Sequence, residues 1–237
     1  MTLTFRYLAT VLFTLAVVGC GAVGPVGNGK LAPQAREVPP FKRLSVGGGV
    51  KVTFTTGPRA VLLTTDENLL GVMRVEVVDG VLFIRPRQPL GFSTRLTAAV
   101  SGEALEGLLL SGGSGFSGPA TAADEFVIDA SGGSTAEVAG ISSKNVIATA
   151  SGGSTVTFTG GSTSSLFVAA SGGSKFSAHS FVAADVGIEA SGGSEICVLA
   201  TRQITGNASG GSTVNLAGSP ATNRVISSGG ARLVKLD

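Results

Sequence analysis

Tryptophan is absent from this sequence, histidine and tyrosine occur once each, and charged side chains make up only 14% of it. Each shortage excludes something. The lone His179 leaves no second imidazole for a His-based metal cage, and no partners for a Ser–His–Asp relay stand near it in the sequence. The formal charge of +2 comes from scattered Lys and Arg without a basic run, so the clustered cationic face that nucleic-acid binding needs is missing. With two cysteines, Cys20 and Cys197, there is no disulfide framework. No apolar run reaches the roughly 20 residues of a membrane-spanning helix. What is abundant is glycine, at 36 residues, beside 43% hydrophobic residues, many of them β-branched, which argues against a disordered chain.

The amino terminus reads as an export signal. Arg6 supplies a minimal positive region and Tyr7 to Val18 an apolar core, ending in Val17-Val18-Gly19-Cys20. That ending resembles the bacterial lipobox, so residues 1–19 are expected to be a lipoprotein signal peptide and Cys20 the lipidated residue. Acylation at more than one position would make the attachment to a membrane stable. Gly21, rather than Asp, resembles the outer-membrane sorting pattern of Gram-negative bacteria. Residues 20–40, rich in Gly, Pro and Ala, read as a flexible tether. Cys197 is then left without a disulfide partner.

The mature chain is dominated by a repeat. SGGS begins at residues 111, 131, 151, 171, 191 and 209, and SGGA at 228. Periods in this range mark solenoids, propellers or arrays. Aligned on the first serine, apolar columns emerge. Five residues before it stand Phe126, Val146, Leu166, Val186 and Ile204; immediately before it stand Ala130, Ala150, Ala170, Ala190 and Ala208. Five and seven residues after it come pairs such as Val156 with Phe158 and Ile196 with Val198. Polar residues alternate with these, a period of two on both flanks, hence two half-buried strands per repeat. Helical spacing is absent, and two adjacent glycines would cost a helix about 1 kcal/mol each. Every unit has the same register, which disfavours a propeller built from pairs of units.

The fold expected is therefore all-β: a right-handed parallel β-helix of ~20-residue coils over residues 101–237, each strand pairing with its copy about 4.8 Å away. Ser111-Gly112-Gly113, Ser131-Gly132-Gly133, Ser151-Gly152-Gly153, Ser171-Gly172-Gly173, Ser191-Gly192-Gly193 and Ser209-Gly210-Gly211 are the expected structural turns, with serine hydroxyl ladders along the corner. A phosphate-cradling loop is the rival reading, but no helix follows and such a site would not recur in every coil. The variable turns are expected opposite SGGS, as at Ala139 to Asn145 and His179 to Asp185. Residues 41–100 read as degenerate coils or a cap. Leu44 and Val46 lead into Gly47-Gly48-Gly49, then Val52 and Phe54, and Asp79-Gly80 joins two short strands.

The run Phe41-Lys42-Arg43-Leu44-Ser45-Val46 followed by Gly47 to Val52, then Asp66-Glu67-Asn68-Leu69-Leu70, Asp79-Gly80-Val81-Leu82 and the SGGS coils, resembles the bacterial family of putative auto-transporter adhesins with a head GIN domain. The resemblance covers residues 37–237. It implies a β-helical fold and an exported or lipid-anchored location, and it brings no catalytic residues with it.

Chemistry is sparse. Asp129 and Glu189 share a column three coils apart, roughly 14 Å, beyond the ~5 to 9.5 Å of a glycosidase carboxylate pair. The Asp-rich turns of calcium-binding β-rolls are replaced here by serines. No catalytic residue, metal ligand or cofactor is expected. Alternation points Cys197 outward between Ile196 and Val198. The function expected is non-catalytic: a cell-envelope lipoprotein, facing periplasm or exterior, that binds a glycan or an envelope protein through the solenoid face, where Thr135, Thr155, Thr157 and Thr213 form outward ladders. A structural or assembly factor and, further off, a polysaccharide-active enzyme are the alternatives.

Overall fold

The computed structural model describes residues 24–93, 95–120 and 123–236. The expected signal peptide (residues 1–19) and the expected lipidation site, Cys20, lie outside these. Strands form wherever apolar and polar residues alternate: β1 (Leu31–Arg36), β2 (Arg43–Val46), β3 (Lys51–Thr56) and β4 (Ala60–Asp66), then a 3-10 helix (Glu67–Val72). Next come β5 (Met73–Val78), β6 (Val81–Pro86), β7 (Leu96–Gly102), β8 (Gly107–Leu110), β9 (Gly115–Pro119) and β10 (Ala123–Ala130). The repeats supply β11 (Thr135–Ala150), β12 (Thr155–Ala170), β13 (Lys175–Ala190) and β14 (Glu195–Ala208), before β15 (Thr213–Ala217), β16 (Thr222–Ser227) and β17 (Arg232–Lys235).

The result is an all-β solenoid. Each repeat pairs in parallel with the next, Val146 beside Leu166 beside Val186 beside Ile204, so like residues stack and close a continuous core. Phe126, Val156, Phe158, Phe176, Ile188 and Val198 are all buried in it.

The coil has three sides. Along β11 the buried residues are Ala136 and Val138, then Ile141 and Ser143, then Val146, Ala148 and Ala150. The alternation slips after Val138 and again after Ser143, and the paired register skips residues 140 and 144. A period-two strand can shift its inward set only by bending, so these are corners. The variable turn expected at Ala139 to Asn145 is thus corrected. Ala139 pairs with Thr159, Ser142 with Ser162 and Asn145 with Ser165, so the segment is paired strand that bends at two residues rather than loop. Below, side 1 is the strand entering SGGS (145–150 in β11), side 2 the strand leaving it (135–139), and side 3 the short span 141–143.

SGGS makes the third corner. Gly152 and Gly153 take φ +60° and +76°, and the amide of Ser154 donates to the Ser151 carbonyl at 3.3 Å, a turn whose two central residues are left-handed. The serine ladders are also corrected. The second serine of each corner points into the core, and its hydroxyl bonds a carbonyl: Ser134 to Ser131 at 2.7 Å, Ser174 to Ala150 at 2.9 Å, Ser194 to Ala170 at 3.1 Å. A buried hydroxyl needs a partner, and the corner's carbonyls are the nearest acceptors.

The amino-terminal part is coil and cap together, stacked out of chain order. β2 lies between β6 and β8, and β3 between β7 and β9, all parallel. The coil of residues 43–54 is therefore the second layer, and the layer beneath it comes from later residues. Below that, β5 pairs antiparallel with β6, and β4 and β1 antiparallel beyond β7, covering the end of the core. The expected flexible tether is corrected for residues 24–40. Half-buried alternation in Leu31–Arg36 makes it a strand paired with β4, and Gly29 N donates to the buried Asp66 at 2.7 Å.

Candidate functional site

Around the packed core the described residues present outer faces and corners. Side 2 carries two polar columns: Thr135, Thr155, Lys175, Glu195 and Thr213, and beside them Glu137, Thr157, Ser177, Cys197 and Asn215. Glu195 binds Lys175 at 3.0 Å and accepts from Asn215 at 3.1 Å, so opposite charges on neighbouring rungs neutralise one another. Cys197 lies half-buried in this surface. Burial pushes its thiol up, the Glu195 carboxylate adds to that, and Lys175 opposes it. His179 shares a 3.2 Å hydrogen bond with Ser177 on the same side.

Side 1 is different. Val127, Ile147, Phe167 and Gly187 form one outward column, with Leu109, Asp129, Thr149, Ala169 and Glu189 beside it. Leu109 and Phe167 are exposed, and with the half-buried Val127 and Ile147 between them they make a small apolar stripe on this side. Asp129 and Glu189 are three rungs apart in this register, which keeps the two carboxylates from acting as a pair.

The corner between sides 3 and 1 holds ion pairs. Lys144 binds Asp124 at 2.6 Å, and its hydrogen bond and charge hold that carboxyl below the usual carboxylate range. Arg202 binds Asp185 two-pronged at the equivalent corner of a later coil. A groove of about 600 Å³ beside the first pair is lined by Ser142, Ser162, Ser164 and Lys144. Among the described residues no three His, Cys, Asp or Glu side chains gather as a metal site.

One cluster escaped the sequence reading. At the capped end Arg74 on β5 faces Arg85 on β6, and the Cζ atoms of the two guanidinium groups lie 4.8 and 5.5 Å from the centre of the Phe83 ring. Glu76 pairs with Arg74 at 2.5 Å and lies 3.9 Å from Arg87. The Asp79-Gly80 turn fixes the register of this hairpin, so the Arg74–Arg85 pairing was legible in the sequence.

Comparison with known proteins agrees with this architecture. The family model described as "Putative auto-transporter adhesin, head GIN domain" matches residues 40–220. Among solved structures, a putative adhesin from Bacteroides fragilis superposes with a TM-score of 0.82 at 16% identity, covering 90% of this chain and 100% of that one. A putative adhesin from Parabacteroides distasonis gives 0.72 at 20% identity, with 90% and 100% covered. One from Parabacteroides merdae gives 0.68 at 16%, with 91% and 100% covered. At such identities the likeness establishes the fold. No curated protein matches the chain.

Proposed function

The chain belongs to the family of putative auto-transporter adhesins with a head GIN domain, and from that premise we propose that it is a non-catalytic adhesion module held on the cell envelope by lipid at Cys20. The observation that carries the reading is side 2. Thr135 beside Thr155 in one column, and Thr157 beside Ser177 in the next, present hydroxyls on neighbouring rungs about 4.8 Å apart, on strands whose backbone groups are already paired, with the Lys175–Glu195 ion pair continuing the polar face. Such a surface suits an extended polar ligand, and a glycan chain offers matching hydroxyls. Rigidity matters because little side-chain or backbone entropy is lost on binding.

A second reading, a protein partner in envelope assembly, is favoured by the apolar stripe of Leu109 and Phe167 on side 1. The test is glycan-array and envelope-crosslinking measurement on the full chain, its Thr155→Arg/Thr157→Arg variant and its Phe167→Asp variant. Glycan binding lost only in the threonine variant supports adhesion through side 2. Capture of one defined protein lost only in Phe167→Asp supports the second reading. Turnover of a glycan would overturn both. Lipidation is read separately, by intact mass and membrane fractionation of the native chain beside Cys20→Ala.

A further inference from the structure

The corner at the capped end is unlike every other. Ile84 is level with Val46 and Thr97 with Lys51, so residues 85–96 span a corner that residues 47–50 cross in the next coil. The extra length forms a loop that carries Phe92 at its tip. Phe92 is 79% exposed, the most exposed large apolar side chain among the described residues. Against this loop lies the start of the described chain. Gly91 N donates to Pro25 O at 3.1 Å, Gly27 N donates to Phe92 O at 2.8 Å, and Gly24 packs on Pro89. Val26 and Leu31 are exposed on the same segment, at 53% and 42%. Beside the loop a groove of about 680 Å³ is lined by Arg74, Arg85 and Arg87, with Glu76 the one acid. Apolar tips next to a cationic groove suit a surface that is anionic at its headgroups and apolar beneath them.

Chain geometry singles out that surface. Gly24 is four residue steps from Cys20, and a fully extended chain of that length reaches only about 14 Å. Acyl chains on Cys20 would therefore enter a bilayer within that distance of Gly24, which packs on the loop that carries Phe92. We propose that the capped end of the solenoid docks on an anionic phospholipid bilayer, Phe92 and Val26 entering the interface and the arginine groove taking a lipid phosphate. The solenoid then stands end-on, with β16 and β17 farthest from the membrane. This orientation rests on the lipidation reading above, whereas the docking surface itself stands on residues 24–31, Arg74 and residues 85–93.

The absence of tryptophan supplies the test. Phe92→Trp and Ile226→Trp each place a single reporter in the full chain, at the capped and the opposite end. Each is measured on vesicles of phosphatidylglycerol and phosphatidylcholine with brominated acyl chains. The expected result is quenching and a blue shift for the reporter at 92 and neither at 226. Arg87→Gln is expected to weaken binding to the anionic vesicles about five-fold, the worth of one basic residue near such a surface. A vesicle-bound, acylated chain with an unquenched reporter at 92 overturns the docking and leaves lipidation standing. Quenching at 92 in a chain whose intact mass shows no acyl group sustains the docking and sinks the lipidation reading. Equal quenching at both positions overturns the end-on orientation. An unacylated chain that leaves the vesicles untouched overturns both.

Discussion

Ser174 donates a hydrogen bond from Oγ to the carbonyl oxygen of Ala150, 24 residues earlier, at 2.9 Å in the interior of the solenoid. The bond runs between coils, from the inward serine of one corner to the end of side 1 in the coil before. The same carbonyl also accepts from Ser171 N at 3.0 Å, so the corner is tied to its neighbour twice at one atom.

Because Ala150 keeps its backbone partner, Ser174→Ala should cost only about 1 kcal/mol, the net worth of one hydrogen bond. Ser174→Leu should cost more than the alanine change, since the column is closely packed and overpacking forces strain of about 1–3 kcal/mol. Urea denaturation of the three proteins checks the order, and equal midpoints for serine and alanine would mean the hydroxyl contributes nothing.

Gly152 and Gly153 should differ. Both are left-handed, which costs an ordinary residue about 1–2 kcal/mol. A Cβ at Gly153 would meet open space, whereas one at Gly152 would sit 3.2 Å from the backbone nitrogen of Gly132 in the previous coil. Gly152→Ala is therefore expected to lower the thermal midpoint more than Gly153→Ala. The reverse order would show that stacking distance does not limit the corner.

Phe158 packs edge-on against Phe176 in the next coil, centroids 5.1 Å apart, and against Phe181 at 5.3 Å. Truncating it to alanine should cost about 3–5 kcal/mol. Paired with Phe181→Ala, it should depart from additivity by 0.5 kcal/mol or more, about the threshold for residues sharing a cavity. A double-mutant cycle of denaturation free energies measures this.

The Cys197 thiol is raised by burial and by Glu195. At a given pH it should hold less thiolate, and react more slowly with iodoacetamide, than a free cysteine. Glu195→Gln should shift the rate profile to lower pH, and Lys175→Met to higher. A raised thiol favours the protonated form in the fold. Its contribution to stability is full below the ordinary thiol value and is lost as pH rises through the raised one. A profile that ignored both substitutions would sink this account.

The inward columns were legible because the repeat tests every position several times over. Val146, Leu166, Val186 and Ile204 agree with one another, and a single inward face explains them all. Side 3 was hidden because its inward set is short and inconsistent. Ile141, Gly161 and Phe181 stand at equivalent places, and the coil from 191 is two residues shorter. The burial of the second serine of SGGS was not legible, because nothing in a glycine turn's spacing says which of its two serines faces inward. Only its distance from the nearest carbonyl shows that it can be buried and satisfied. Of the candidate faces, the outward polar columns of side 2 could be read from spacing. The apolar stripe of side 1 needed the register that sets Phe167 above Gly187.

By itself the sequence determined that this chain stacks. A period of about twenty residues, alternation on both flanks and a double glycine leave a parallel β-solenoid as the arrangement that buries every apolar column. Tertiary structure alone decided the order of the first layers, with β2 and β3 lying above strands that come later in the chain, and the pinning of residues 24–36 onto the cap. The physical reason is that a strand edge presents the same amide and carbonyl pattern to any neighbour. Which two edges meet is settled by what must cover the end of the core, a condition set by the assembled layers rather than by any local stretch of residues.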